Sequence, residues 1–448
     1  MHRNTNDTEI TEDFLRFTEA SPTAYQTVEE VIKLLEAEDW KELDEADSWA
    51  LFAGGKYYVT RNGSSIICFS IGDTGVHYNF QIGAAHTDSP AFKIKENAEI
   101  HVSDTYTKLN TEGYGGMICN TWLDRPLSVA GRIITAENGQ LKARSLKVDR
   151  DLLVIPNVCI HMNRKINEGI ELNRQVDLLP LFGEGTDEGS FLQLIAREAG
   201  VPRESILGTD LYLYSRVKPS IWGCSGEFFS GPHLDDLQSL YPMLRAILSA
   251  KPVAGVKVAA FFDNEEVGST TKQGAASTFL GDTLLRISLA LGKSQEEHIR
   301  ALSSSFMVSA DNAHAVHPNH PELTDPTNHV YMNRGVVVKM HANQKYTSDG
   351  LTIATIREIA RRAGVPVQFF ANRSDKNGGS TLGNIALTHV SIPCVDIGLA
   401  QLAMHSSYET AGTRDLNYMV RLLKEFYEVS ICRQGDGCMR VEHAGGSL

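Results

Sequence analysis

The sequence has no long hydrophobic run, no basic stretch and no paired cysteine motif. No segment of the 448 residues approaches the roughly 20 apolar residues of a membrane span, and the acidic, interrupted start is unlike a signal peptide. The seven cysteines are scattered without CxxC spacing, as is usual for reduced thiols in a cytosol. The net charge of -13 disfavours nucleic acid and anionic membranes as partners. These absences predict a cytoplasmic protein that binds no nucleic acid and no membrane.

Several common catalytic motifs are also missing. The chain contains no GxSxG elbow, no Walker A loop, no HExxH pair and no GxGxxG segment after a strand. The sequence therefore lacks the usual motifs for serine hydrolysis, phosphate binding and dinucleotide binding. The glycine-rich segment 377–383 lacks the Lys-Ser/Thr ending of a phosphate loop, and we interpret it as a loop packed close to a site.

The order of apolar segments predicts an α/β fold. Residues 10–38 have the pattern of two helices broken at Ser21-Pro22, and Arg61-Asn62-Gly63 separates two strand-like runs as a hairpin turn would. Later short apolar segments, several of them separated by helical patterns, lie at 257–262, 305–310, 335–340, 365–371 and 392–398. Strands that alternate with helices predict a mainly parallel mixed sheet sandwiched by helices.

The middle of the chain has a different composition. Between 97 and 230 the sequence is rich in glycine, asparagine, threonine and arginine, with short β-like runs and fewer long helical periods. We interpret residues 97–230 as an inserted β-rich domain. Residues 1–96 and 231–448 would then form one domain around the parallel sheet.

Two predicted strands lead into residues that can bind metals. His86 and Asp88 lie on the same side of the first strand, because side chains alternate, and a histidine ligand commonly hydrogen-bonds a carboxylate or a carbonyl. The strand at 257–262 leads to Glu265 and Glu266, of which one could bind a metal while the other takes a proton from water. Either segment alone would also suit an ordinary polar turn.

Three further segments offer imidazole or carboxylate groups in similar places. Asp311 follows the strand at 305–310, His405 follows another apolar run, and Asp235 stands at the start of a predicted helix. The histidines behind Asp311 cannot all bind one metal pair, and we favour Asp311 as the ligand over His314, His317 and His320. Together the five sites supply N/O ligands suited to a dinuclear hydrolytic centre of zinc, cobalt or manganese.

The ordered motifs resemble those of the M18 metalloaminopeptidases, the aspartyl aminopeptidase family. The motifs are HTDSP, LDDL, DNEEVGS, SADNAHAVHPN and MHSSYE, with SPTAYQTV, IPNVCIHMNRKIN, ANQKYTSD and GGSTLG as further pieces, so that nearly the whole chain is covered. The resemblance implies an α/β catalytic domain with an inserted dimerisation domain, assembled as a tetrahedral dodecamer. It also implies two divalent metal ions per chain, zinc first and manganese or cobalt as alternatives.

The same resemblance implies the metal ligands. His86 would bind one ion and His405 the other, Asp235 would bridge them, and Glu266 and Asp311 would complete the two sites. This set agrees with the five sites found at the strand ends and the helix start.

Further roles are also carried by the resemblance. Glu265 would be the general base, Asp88 would support the ligands from behind, and His161 would reach the site of a neighbouring subunit. The substrate contacts would be Lys339, Tyr346 and Gly379.

Some positions depart from the family pattern or leave the specificity open. Asp236 stands where asparagine is more usual, and DKNGGST stands where a Pro-Cys-Gly version is common, which affects the expected substrate pocket. Lys339 matches a lysine that meets the substrate carboxylate in acid-specific members, although members with other preferences exist. The alternative for Lys339 is a side chain that reaches from a strand end to solvent.

A metal pair with a glutamate base predicts hydrolysis of peptides but leaves the type of hydrolase open. An aminopeptidase is favoured; a carboxypeptidase or deacylase with the same centre is the second hypothesis. The third is a non-enzymatic assembly or cargo protein on the same scaffold, against which the intact ligand set argues.

Overall fold

The computed structural model describes residues 5–75, 78–185, 187–251 and 253–443. Its α-helices within these ranges are α1 (Thr5–Ala20), α2 (Ala24–Glu36), α3 (Ser190–Ala199), α4 (Leu234–Ser249), α5 (Phe279–Ala290), α6 (Gln295–Ser303), α7 (Gly350–Ala363), α8 (Leu382–Ala386) and α9 (Asp415–Glu428). The first two helices are separated at Ser21-Pro22, as the sequence predicts.

The strands of the first half are β1 (Lys41–Leu43), β2 (Lys56–Arg61), β3 (Ser65–Ile71), β4 (Phe80–His86), β5 (Ala91–Val102), β6 (Tyr106–Tyr114), β7 (Leu127–Glu137), β8 (Gln140–Lys147), β9 (Leu181–Glu184), β10 (Ile206–Ser215) and β11 (Ser220–Trp222). Those of the second half are β12 (Phe228–Gly231), β13 (Val256–Phe262), β14 (Phe306–Ala310), β15 (Ala313–His314), β16 (Val336–Met340), β17 (Val367–Ala371), β18 (Cys394–Gly398), β19 (Ala400–Leu402), β20 (Glu409–Gly412), β21 (Val429–Gly435) and β22 (Cys438–His443).

A nine-stranded mixed sheet carries the fold, in the order β1-β2-β3-β13-β4-β14-β18-β16-β17. The central strands β13, β4, β14 and β18 are parallel to one another, while β3 and β16 pair antiparallel with this central group. The predicted mainly parallel mixed sheet is confirmed. Because the central strands are parallel, their carboxyl ends lie at one edge of the sheet, where ligands collect in open α/β folds.

Helices cover both faces of this sheet. Leu240 of α4, Ile356 of α7 and Met419 of α9 belong to one buried cluster, together with Ala85 and Phe261 of the sheet. Residues on the opposite face pack against α5, α6 and α8 in a second cluster. Side chains alternate along a strand, so the neighbouring residues Ala84 and Ala85 of β4 fall into different clusters.

The described residues form three further sheets, of which the smallest is the two-stranded sheet β21-β22. The six-stranded sheet β8-β7-β10-β5-β6-β9 is antiparallel and has a separate hydrophobic core that includes Phe92, Trp122 and Leu211. A five-stranded sheet has the order β11-β12-β20-β19-β15, and its strands β15 and β19 follow β14 and β18 of the central sheet in the chain. Among the described residues, no helix combines the length and apolar character needed to cross a bilayer.

Candidate metal centre

Two parallel strands bring two of the predicted site residues to the same edge of the central sheet. His86 is the last residue of β4 and pairs with Phe262, the last residue of β13. Asp311 directly follows β14, and its N–H donates to the carbonyl of Ile397 on β18 at 3.0 Å. This approach requires Gly398, because a Cβ there would lie 2.0 Å from the carbonyl oxygen of Asp311. The structure therefore places His86 and Asp311 at the ends of neighbouring parallel strands, as the sequence predicts.

Asp235 lies between the two predicted histidine ligands. Its Oδ1 lies 3.6 Å from Nε2 of His86, and its Oδ2 lies 3.4 Å from Nε2 of His405. Asp235 stands at the start of α4, as predicted, but with non-helical backbone angles of φ -87° and ψ 107°. One carboxylate thus presents an oxygen to each imidazole.

Backbone carbonyl groups orient the imidazole rings of His86 and His405. Nδ1 of His86 lies 3.0 Å from the carbonyl of Asp88, and Nδ1 of His405 lies 2.8 Å from the carbonyl of Gly116. Because a carbonyl can only accept, each Nδ1 donates its hydrogen, and each Nε2, which faces Asp235, is the ring atom that can carry a proton or bind a metal ion. This is the arrangement found when histidine binds a metal through Nε2.

Asp88 organises the segment that carries the two glutamates. Its Oδ1 accepts from the backbone N–H of Glu265 at 3.1 Å, and its Oδ2 accepts from the N–H of Glu266 at 3.2 Å. The hydroxyl of Tyr114 also donates to Oδ2 at 2.6 Å. Glu266 is held with Oε2 3.3 Å from Nε2 of His405. Asp88 therefore holds the backbone of the turn that carries Glu265 and Glu266.

Three overlapping groups of potential ligand atoms occur in the described part of the chain, each within 4.8 Å. They are His86 with Asp235, Asp236 and Asp311; Asp235 with Glu266 and His405; and His86 with Glu265 and Glu266. The structure thus brings together every predicted ligand, with Glu265 beside them. His86, Asp235 and Glu266 each occur in two of the three groups.

The buried carboxyl groups of the cluster favour the binding of protons or cations. Burial raises the pKa of Glu265 to about 8, and burial also raises the pKa of Glu266 and Asp236 well above the usual carboxyl values, with neighbouring carboxylates adding to these shifts. For His405, burial lowers the pKa, but the contacts with Asp235 and Glu266 outweigh it and raise the pKa to about 10. Bound divalent cations would take the place of these protons, because metal ligands bind in their deprotonated forms.

Unpartnered oxygen atoms support the same conclusion. Asp235 Oδ1, Asp236 Oδ1 and Glu266 Oε1 are buried and have no hydrogen-bond partner. A buried carboxylate oxygen without a partner costs free energy unless a cation compensates it. Imidazole nitrogens and carboxylate oxygens are the donors used by zinc, and they also suit manganese and cobalt. The residues present therefore fit divalent metal ions.

Lys339 and Tyr346 lie next to the cluster. Nζ of Lys339 lies 3.6 Å from Oδ1 of Asp311, donates to the carbonyl of Asn312 at 3.2 Å and stands 5.0 Å from the centre of the Tyr346 ring. Lys339 is only 2% exposed. The alternative of a lysine that reaches solvent is therefore wrong.

Other predicted residues lie outside the cluster. His161 is exposed on a loop beside Val158, Ile160 and Met162, which are also exposed, and Gly379 is exposed in its own loop. The metal-binding groups of the described residues do not include His314, His317 or His320, in agreement with the preference for Asp311.

Sequence reasoning missed three contributors to the site. Asp236 was noted only as a departure, yet its Oδ2 accepts from the N–H of His86 at 3.3 Å. Glu409 belongs to the motif MHSSYE, so the motif could have identified it as a candidate. Tyr114 lies on β6, outside all of the recognised motifs. Tyr114 reaches the site only because the chain passes from β4 into the second sheet and back.

Comparison with known proteins gives a consistent result. Residues 17–427 match the family described as Aminopeptidase I zinc metalloprotease (M18). The chain is 45% identical over 431 residues to a probable M18 family aminopeptidase 2 of Clostridium novyi, covering 95% of this chain and all of the relative. A protein of the same description from Pseudomonas paraeruginosa is 38% identical over 429 residues, 94% of this chain and 99% of the relative.

The fold is also similar to that of solved structures. In the cryo-EM structure of the Ape4 and Nbr1 complex, one chain superposes with a TM-score of 0.91 at 32% identity. The match covers 95% of this chain and 87% of that chain.

Proposed function

Since the chain belongs to the M18 family of zinc metallopeptidases and is an aminopeptidase, we propose that it removes N-terminal residues from peptides with two divalent metal ions and a glutamate base. The proposed ligands are His86, Asp235, Glu266, Asp311 and His405, and the proposed base is Glu265. The observation that carries the proposal is the Asp235 carboxylate, which faces His86 with one oxygen and His405 with the other. Zinc is the first choice of metal, with manganese or cobalt as alternatives.

The ions, when bound, would supply Lewis-acid activation of a water and would stabilise negative charge in the transition state. Glu265 would accept the proton of the attacking water and return it to the nitrogen of the leaving peptide. Asp88 contributes by holding the backbone N–H groups of Glu265 and Glu266, so that the base and the ligand keep separate directions. The His405 side chain is 31% exposed, and a peptide would enter the centre from that side.

The number of ions is tested by metal analysis of purified variants. The wild-type protein should contain about two ions per chain, and His405→Ala should retain about one, because the group around His86 keeps its other ligands. His314→Ala is the matched control, since this neighbouring exposed histidine is outside the groups, and it should keep two ions. A single ion in the wild-type protein would contradict the dinuclear proposal.

The specificity proposal places Lys339, Tyr346 and Gly379 around the first substrate residue. Lys339 lies at the edge of the metal cluster, so a substrate carboxylate that reached it would be held beside the scissile bond. We therefore propose a preference for N-terminal aspartate or glutamate.

Lys339→Ala should lower kcat/KM for acidic substrates about ten- to a hundredfold, the range expected for one hydrogen bond to a charged group, and should affect apolar substrates much less. A panel of aminoacyl substrates measures both. Lys345→Ala, at an exposed lysine close in sequence, is the control. Equal losses on both substrate classes would instead mean that Lys339 acts through Asp311 as a structural residue.

The domain arrangement and assembly are further parts of the proposal. Residues 1–96 and 231–448 would form the catalytic domain and residues 97–230 the dimerisation domain. This division is supported by the six-stranded sheet, which has a separate core and lies mostly within 97–230, with β5 beginning at Ala91. The dimers would assemble further into a dodecamer. The net charge of -13 and the scattered cysteines support a cytoplasmic location.

A further inference from the structure

Glu409 connects the two segments that carry Asp235 and His405. It opens β20 next to the metal cluster and is 2% exposed. Its Oε2 accepts from the backbone N–H of Asp235 at 3.0 Å, and its Oε1 accepts from the backbone N–H of His405 at 2.7 Å. The side-chain amide of Gln401 approaches Oε1 at 3.4 Å. One carboxylate therefore binds the main chain of both residues, although Asp235 and Glu409 are 174 positions apart in sequence.

Both residues held by Glu409 have backbone conformations that need support. His405 has φ +66°, a left-handed conformation that costs free energy for a residue with a Cβ. Asp235 departs from helical angles although it lies within the first turn of α4. An N–H group in such a segment cannot use the regular helix or sheet pattern, and the Glu409 carboxylate provides the acceptor instead.

The distances show what this support achieves. The side chains of Asp235 and His405 meet at 3.4 Å, and both belong to the group that also contains Glu266. A small displacement of either main chain would separate these ligand atoms, because each side chain is short or rigid. Groups that hold metal ligands from behind typically change metal affinity or activity ten- to a hundredfold when they are replaced.

We infer that Glu409 is a positioning residue that sets the metal affinity of the site formed by Asp235, Glu266 and His405. This inference rests on the proposed metal centre. The physical reason is that a carboxylate offers two acceptor oxygens to two N–H donors. A glutamine of the same shape offers one oxygen, and its NH₂ group then faces the second N–H, so that one hydrogen bond is lost and replaced by repulsion.

The experiment measures zinc affinity of the metal-free full-length protein by competition with a chromogenic chelator. Glu409→Gln should weaken the binding of one of the two ions by about ten- to a hundredfold. With cobalt in place of zinc, the visible absorption bands of that site should change in position and intensity, because the coordination geometry changes. Glu409→Asp keeps the charge but withdraws it by one methylene group, and should show a smaller loss of affinity.

Asp415→Asn is the matched control. Asp415 is also buried, and its two oxygens also accept from backbone N–H groups, those of Asn333 and Gly335. This variant should lower the melting temperature while leaving the zinc affinity and the cobalt spectrum as in the wild type. The control thus separates general destabilisation from an effect on the metal site.

The outcomes distinguish the possible explanations. If Glu409→Gln lowers only the melting temperature and binds zinc and cobalt like Asp415→Asn, the positioning role is wrong. If Glu409→Gln does not fold, Glu409→Asp decides in the same assay, and wild-type affinity in that variant would overturn the inference. If the wild-type protein itself binds fewer than two ions, the dinuclear proposal fails independently of Glu409.

Discussion

Glu265→Gln is expected to lower kcat at least about a hundredfold, the lower end for general acid-base catalysis, while the metal content stays unchanged. Glutamine has nearly the same shape as glutamate but cannot accept a proton from water. Glu265 is close to His86 and Glu266, while its backbone N–H is fixed by Asp88, so the replacement leaves the turn intact. Hydrolysis of an aminoacyl substrate gives kcat, and metal analysis with thermal unfolding reports on the centre and the fold.

Asp263→Asn provides the control for the effect of removing a buried carboxylate. Asp263 lies on the same segment, is 5% exposed and accepts from the N–H of Asn264 at 2.7 Å. It is not part of the metal-binding groups of the described residues, and its replacement should change kcat less than about tenfold. Loss of metal from Glu265→Gln would contradict the assignment and would mean that Glu265 and Glu266 have exchanged roles.

Activity should return when two inactive variants, His161→Ala and Glu265→Gln, are mixed and allowed to exchange subunits. The exposed position of His161 within its own chain is the reason for this expectation. Val158, Ile160 and Met162 on the same loop are 50%, 48% and 83% exposed, and exposed apolar side chains that lie together mark interaction surfaces. A neighbouring copy seated on this loop would receive His161 near its own metal centre.

His161→Ala alone should lower kcat by about a hundred- to a thousandfold, the loss measured when one transition-state hydrogen-bond donor is removed. In a mixed dimer, the chain with an intact Glu265 receives a wild-type His161 from its partner. Equal exchange within symmetric dimers should therefore restore about a quarter of the wild-type activity. His389→Ala, at another exposed histidine, is the control and should remain active. No recovery after verified exchange would show that His161 serves its own chain.

The sequence predicted the sheet and the ligands for a local reason. His86 ends one buried strand and Asp311 directly follows another, and strand ends can be recognised from a few neighbouring residues. The parallel pairing of β4 with β13 and β14 then brings these ends to one edge without further information. The fold class and the gathering of the proposed ligands at one edge of the sheet could therefore be predicted from short segments together with the motif order.

The remaining features depend on contacts between distant segments. The position of the Lys339 Nζ beside Asp311 depends on the antiparallel pairing of β16 with β18. The two hydrogen bonds of Glu409 and the hydroxyl of Tyr114 depend on how separate sheets pack together. Neither contact has a fixed sequence spacing, so no local pattern predicts it.

The spread of the ligands along the chain links catalytic activity to biosynthesis. The first ligand, His86, is made early, whereas His405 belongs to the last tenth of the 448-residue chain. Chains are synthesised from the N-terminus at about 5–20 residues per second, so a growing polypeptide spends most of its synthesis with an incomplete ligand set. A prematurely terminated product that ends before residue 405 lacks one imidazole, and it also lacks the Glu409 carboxylate. With the proposed ligand set, an unfinished chain would therefore lack peptide hydrolysis, and activity would require a nearly full-length polypeptide.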